Sequence, residues 1–204
     1  MASMTRNVAA IMRPRTIAVV GASATRTTQG NHVIRNLLRA GFSGRIIPVH
    51  ATAIKVNDLP VVNSIAALPP DIDVAVVAIP AAGVATCLAE LEQARVRAAV
   101  VFSNGFTPTQ EQDFRRVSDT SVMTIHGPNC MGLIDLHEAM PLYPATITAK
   151  VRPGNVALIA QSGSAAMSQA SAVSPPEIPT MPIWLPLAVR GVALKHSSVA
   201  ISSS

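Results

Sequence analysis

Residues 16–41 read TIAVVGASATRTTQGNHVIRNLLRAG. Thr16 to Val20 form a short apolar run that ends at Gly21, the pattern of a buried strand turning sharply. Val33, Ile34, Leu37 and Leu38 then recur at helical spacing, and Gly41 stands where a helix would stop. The stretch is therefore a strand, a turn and a helix. Gly21 permits a tight turn, Ser23 offers a hydroxyl and a backbone N–H, and Gly30 opens a helix whose N-terminus attracts phosphate. The glycines do not follow the GxGxxG spacing of a dinucleotide turn, and the second strand ends in His50, Ala51 and Thr52 with no carboxylate for a ribose. Taken alone, the turn reads equally as a phosphate cradle or as a plain βα turn with small residues at its exit.

The same alternation continues outward. RIIPVH (45–50), DVAVVAIP (73–80), RAAVVFS (97–103) and SVMTIHGPN (121–129) supply four more strands. A short helix is expected near NSIAAL (63–68), with longer ones over 82–94 and 109–117. The near-continuous apolar strands predict a parallel sheet covered by helices on both faces, an α/β Rossmann-like fold. Such a sheet binds ligands at the carboxyl ends of its strands, where strand order reverses. The candidate positions are thus Gly21 to Ser23, Pro48 to Ala53, Ile79 to Ala82, Phe102 to Phe106 and His126 to Gly132.

Composition excludes several classes. The net charge of +5 comes from singly scattered Lys and Arg, and one Trp, one Tyr and four Phe give little base stacking, which argues against nucleic acid. The longest apolar uncharged run, residues 74–89, has 16 residues interrupted by Pro80 and Gly83, too short and broken to span a bilayer. Arg6, Arg13 and Arg15 interrupt any signal-like apolar region, so a cytoplasmic location is expected. Cys87 and Cys130 lack CxxC spacing and read as buried free thiols, with no metal site.

Four motifs at the strand exits, IAVVGAS (17–23), VAIPAAGV (77–84), AAVVFSNGF (98–106) and GPNCMGLI (127–134), resemble in order the CoA-binding domain of the NDP-forming acyl-CoA synthetases, relatives of the succinyl-CoA synthetase α-subunit. The resemblance covers about Val8 to Ser168. It implies coenzyme A as ligand, with Gly21, Ala22 and Ser23 by the phosphates and Ile79 and Pro80 along the adenine or pantetheine path. Ser103, Asn104, Gly105 and Phe106 would lie near the pantetheine, and Asn129 and Cys130 in the loop leading its thiol to the reaction centre. Where the family often has VNPK, whose Lys meets a CoA phosphate, this chain has VHAT (49–52), and Lys55 is the candidate replacement.

The resemblance divides the chain into a CoA-binding domain (8–148), the start of a flavodoxin-like ligase domain (151–170) and a divergent tail (171–204). In the second part, 155–160 reads as a strand. Ser162, Gly163 and Ser164 form a turn that in the family faces a phosphohistidine, although Ser164 reads equally as an ordinary helix N-cap. Five prolines between 175 and 186 argue against a regular continuation, so a truncated or frameshifted member, or a fragment that borrows the rest from another chain, is expected. The complete family enzyme joins a carboxylic acid to CoA using ATP and Mg through a phosphohistidine loaded by an ATP-grasp domain or subunit. No histidine here has that loop context: His50 and His126 read as satisfied surface or loop histidines. No catalytic residue is assigned, and binding of CoA without turnover is the expectation for this chain alone. The alternatives are a nicotinamide-dependent dehydrogenase domain and a non-catalytic CoA-binding module.

Overall fold

The computed structural model describes residues 8–147, 153 and 157–160. Five parallel strands form its centre: β1 (Thr16–Val20), β2 (Arg45–Val49), β5 (Val74–Val77), β6 (Ala98–Val101) and β7 (Thr124–His126), in the order β2-β1-β5-β6-β7. The α/β Rossmann-like expectation thus holds. The chain leaves β1 toward β2 on one side and later crosses to β5 on the other, so strand order reverses between β1 and β5.

Alternation along the strands builds two cores. Ile17, Val19, Val74, Val76, Ala98 and Val100 face one side, together with helix α2 (Gln29–Ala40) and the short α1 (Val8–Met12). Ala18, Ala75, Val77, Ala99 and Val101 face the other, against α3 (Val84–Gln93) and α4 (Pro108–Thr120). Each fully buried Val removes enough apolar surface from water to contribute about 1.5–3 kcal/mol. Both faces are apolar because both are covered, which is why these strands carry no polar alternation.

The amino ends of the strands are held by Asp73. Its carboxylate accepts the Arg15 and Thr16 backbone N–H groups at 2.8 and 3.1 Å, and pairs with Arg97 at 2.8 Å. Helix α2 starts one residue earlier than expected. Thr28 is its N-cap, in a reciprocal capping box with Asn31, and Gly41 ends it at φ 78°. Helix α4 is likewise longer than 109–117. Thr107 caps it in a box with Gln110, and of its acidic residues Glu111 alone lies in the first turn. The expected short helix near 63–68 is a single 3-10 turn over Ile65–Ala67.

Two hairpins were not legible as strands. The antiparallel pair β3 (Lys55–Val56) and β4 (Leu59–Pro60) turns through Asn57 and Asp58, both left-handed at φ 49° and 64°. That is the two-residue turn whose twist suits a hairpin. The pair β8 (Leu133–Asp135) and β9 (Met140–Leu142) folds over α2. Beyond it, Asn36 of α2, 3% exposed, fastens the chain: its amide donates to the Tyr143 and Ala145 carbonyls at 3.0 and 2.7 Å.

Of the expected strand over 155–160, only 157–160 are described. They are irregular chain, with Leu158 packed on Ile134 and Tyr143. Ser162, Gly163, Ser164 and the tail from 171 lie outside the described residues.

Asn36→Ala should leave two largely buried carbonyls without their donor and cost about 1–3 kcal/mol. Urea unfolding should show it as a lower midpoint with an unchanged slope.

Candidate functional site

The site begins where β1 and β5 part. Gly21 has φ 105°, a conformation that strains any other residue, and a Cβ there would run into the Ala78 carbonyl oxygen at the β5 exit. Gly30, second residue of α2, allows an equally close approach: its Cβ would lie 2.7 Å from the Ala22 backbone nitrogen. The two glycines let the strand exit, the neighbouring strand and the helix N-terminus converge. A side chain at 21 would therefore test the stability of the domain before it tested any ligand contact.

The loop 21–28 is wound around one buried amide. Asn31 is 5% exposed, and its Oδ1 accepts the backbone N–H groups of Ser23 and Thr28 at 3.0 and 3.1 Å. Its Nδ2 donates to the Ser23 carbonyl at 2.9 Å and to Asn57 Oδ1 at 2.7 Å. Thr28 Oγ1 donates to the Gly21 carbonyl at 2.8 Å. The Ser23 N–H, expected to be available to a phosphate, is thus already committed to Asn31. The Ser23 hydroxyl accepts the Thr25 and Arg26 N–H groups at 3.3 Å. The groups left at this exit are the approach over Gly21 and the helix N-terminus behind it.

The other exits are laced to one another. Ser103, 4% exposed, donates its hydroxyl to the Ile79 carbonyl at 2.6 Å, and the Asn129 N–H donates to the Ser103 carbonyl at 3.0 Å. Ile79 and Phe106 are half-buried, whereas Pro80, Asn104, Gly105 and Asn129 are exposed. Phe106 stands edge-on to Phe114, ring centres 5.9 Å apart, which fixes the end of this wall. A Cβ at Gly105, φ 71°, would meet nothing within 4 Å, so that surface is open to a ligand. The structure therefore brings Gly21, Ala22, Ser23, Ile79, Pro80, Ser103, Asn104, Gly105, Phe106, Asn129 and Cys130 to one edge of the sheet.

At the second exit His50 Nδ1 accepts the Thr52 and Ala53 N–H groups at 3.3 and 3.1 Å, closing the loop that leads to Lys55. Lys55 is exposed at the start of β3.

Cys130 does not carry a thiolate. Burial pushes its thiol up to about 12, against smaller opposing effects of nearby backbone hydrogen bonds, and the S–H donates to the Val101 carbonyl at 3.3 Å. Burial likewise raises the Cys87 thiol to about 12.

His126 overturns the reading of a satisfied surface or loop histidine. It is 1% exposed on the inner face of β7, and among the described residues neither ring nitrogen has a hydrogen-bond partner of ordinary geometry, although the Gly132 backbone lies close enough to favour the charged form slightly. Burial dominates and lowers its pKa from 6.5 to about 4. SVMTIH gave no sign of this, because a histidine at a strand end is more often wet than buried.

Asn31, Thr28 and Asn57 were not singled out from sequence. The T-x-x-N spacing of a capping box and the Asn-Asp turn were the signals that marked them.

His126 makes stability pH-dependent. Above about 6.5 the ring is neutral in both folded and unfolded chains. As pH falls toward about 4 the unfolded chain takes the proton first, and about 3 kcal/mol should be lost across that window. Denaturant melts at stepped pH should show this slope, and His126→Leu, which leaves no unpaired ring nitrogen, should flatten it.

Comparison with known proteins agrees with this geometry. A family model described as CoA binding domain matches residues 15–135. An ADP-forming acetate–CoA ligase II of Archaeoglobus fulgidus is 33% identical over 156 residues, covering 74% of this chain and 23% of that protein. The alpha subunit of an ADP-forming acetate–CoA ligase II of Pyrococcus furiosus is 31% identical over 157 residues, covering 74% of this chain and 34% of that subunit. The apo form of the dinucleotide-forming acetyl-coenzyme A synthetase 1 of Ca. Korarchaeum cryptofilum superposes with a TM-score of 0.76 at 28% identity, over 86% of this chain and 38% of that one. The chain thus spans about a quarter to two fifths of the proteins it matches. Its sheet order, its glycine-lined switch point and the match across 15–135 together place it in the CoA-binding domain family, as the portion shared with ADP-forming acyl-CoA synthetases.

Proposed function

We propose that this chain binds CoA along the carboxyl edge of its sheet and serves as the CoA-binding part of an ADP-forming acid–thiol ligase. The observation that carries the reading is the coincidence of the family match with the β1/β5 switch point, where Gly21 and Gly30 let the β1 exit, the β5 exit and the N-terminus of α2 pack backbone to backbone, the setting in which a pyrophosphate meets a helix N-terminus. The phosphates lie over Gly21, Ala22 and Ser23, held by the dipole at the N-terminus of α2, with Lys55 as the cation. Ile79 and Pro80 flank the adenine or pantetheine path. The pantetheine runs past Ser103, Asn104, Gly105 and Phe106, and its thiol ends by Asn129 and Cys130. Cys130 shapes that end as a neutral thiol and does not compete as a nucleophile.

In this reading residues 8–148 form the CoA unit and 151–170 open the next domain, whose turn at Ser162, Gly163 and Ser164 faces the phosphorylated group. ATP and Mg belong to an ATP-grasp subunit or domain, a division suggested by the relative named as an alpha subunit. The reaction is thioester formation from a carboxylic acid, CoA and ATP, and the present residues contribute capture and orientation of the thiol.

A thermal-shift titration tests the ligand. At a hundredfold excess over Kd, CoA should stabilise the fold by about 2.7 kcal/mol and raise the melting temperature by several degrees, while NAD leaves it unchanged. A rise with NAD and none with CoA would replace this reading with a dehydrogenase domain.

A further inference from the structure

Resting on the CoA reading, we propose that Asn31 is a positioning residue that ties the 21–28 loop to the β3–β4 hairpin and so sets the grip on the phosphate-bearing half of the ligand. The side chain touches no expected ligand position itself. Every polar atom of its amide is spent on shape: Oδ1 on the Ser23 and Thr28 N–H groups, Nδ2 on the Ser23 carbonyl and on Asn57 Oδ1.

The Asn57 contact at 2.7 Å is the informative one. Those contacts, and the Thr28 hydroxyl that also donates to Oδ1 at 2.7 Å, lie within the loop and its helix cap, but Asn57 is 26 positions away, at the tip of a separate hairpin. That hairpin begins with Lys55, the exposed cation in a chain that lacks the family's lysine directly after β2. A single buried amide thereby fixes the cationic hairpin relative to the loop over which a phosphate would sit. A hydrogen bond that orders two walls before the ligand arrives raises affinity by removing an ordering cost. Its effect should fall on the phosphate end alone, because Ile79, Ser103 and Asn129 are held by their own hydrogen bonds.

Asn57→Gly isolates this bond. Asn57 sits at φ 49°, where glycine is at ease, so the hairpin keeps its turn and loses only the acceptor. Wild type, Asn57→Gly, Asn31→Ala and the double variant are titrated calorimetrically with CoA, and 3′-phosphoadenosine 5′-diphosphate and pantetheine are each competed against it. Wild-type binding reports on the CoA reading itself; if CoA does not bind, that reading fails first and this inference with it. Where it binds, Asn57→Gly should weaken CoA and the nucleotide half alike by about fivefold, the worth of one hydrogen bond, and leave pantetheine unchanged. Asn31→Ala should lose more, and adding Asn57→Gly to it should cost nothing further. Unchanged CoA affinity in Asn57→Gly, an equal loss for all three ligands, or additive losses in the double variant would overturn the assignment. If Asn31→Ala does not fold, the ligand split in Asn57→Gly decides alone.

Discussion

Everything at the site depends on how closely the chain passes itself at Gly21. There the β1 exit lies against the Ala78 carbonyl of β5, and one residue into α2 the helix lies against the Ala22 backbone through Gly30. No Cβ fits at either contact. Strand order reverses at the same place, the position at which open parallel sheets bind their ligands. The β1 exit, the β5 exit and the helix N-terminus converge because two side chains are missing.

The remaining exits are made one surface by short hydrogen bonds rather than by charge. Ser103 bridges to Ile79, Asn129 to Ser103, and Cys130 to Val101, so the walls contributed by β5, β6 and β7 are fastened to one another. The first loop is organised separately, by Asn31. A long ligand with a phosphate end and an uncharged arm fits such a division. On the proposed reading the polar loop would receive one part, and the half-buried Ile79 and Phe106 would face the other. The fold has a cost on its far edge, where His126 is buried with its ring nitrogens unpaired among the described residues.

The fold was legible because its strongest signals are local and repeated. IAVV, VAVV and AAVV are apolar throughout, as strands of a doubly covered sheet are, and Gly41 marks the end of α2. The strand exits followed from that topology, and the four motifs supplied the family. What was not legible is non-local or very short. Two-residue strands such as Lys55–Val56 have no periodicity to read, and their pairing with Leu59–Pro60 shows only in the turn between them. The role of Asn31 depends on Asn57, far along the chain, and the commitment of the Ser23 amide depends on Asn31. His126 looked wet because its burial is imposed by packing on the inner face of β7, not by its neighbours in sequence.

The central claim is that CoA lies along the carboxyl edge of the sheet. The most direct measurement is an amide chemical-shift map of the labelled chain with and without CoA. The account predicts that the largest changes fall on residues 21–23, 79, 103–106 and 129–130, with Asp73 and Arg97 at the opposite edge unmoved. Shifts concentrated at the amino ends of the strands, or on the outer faces of α3 and α4, would contradict it.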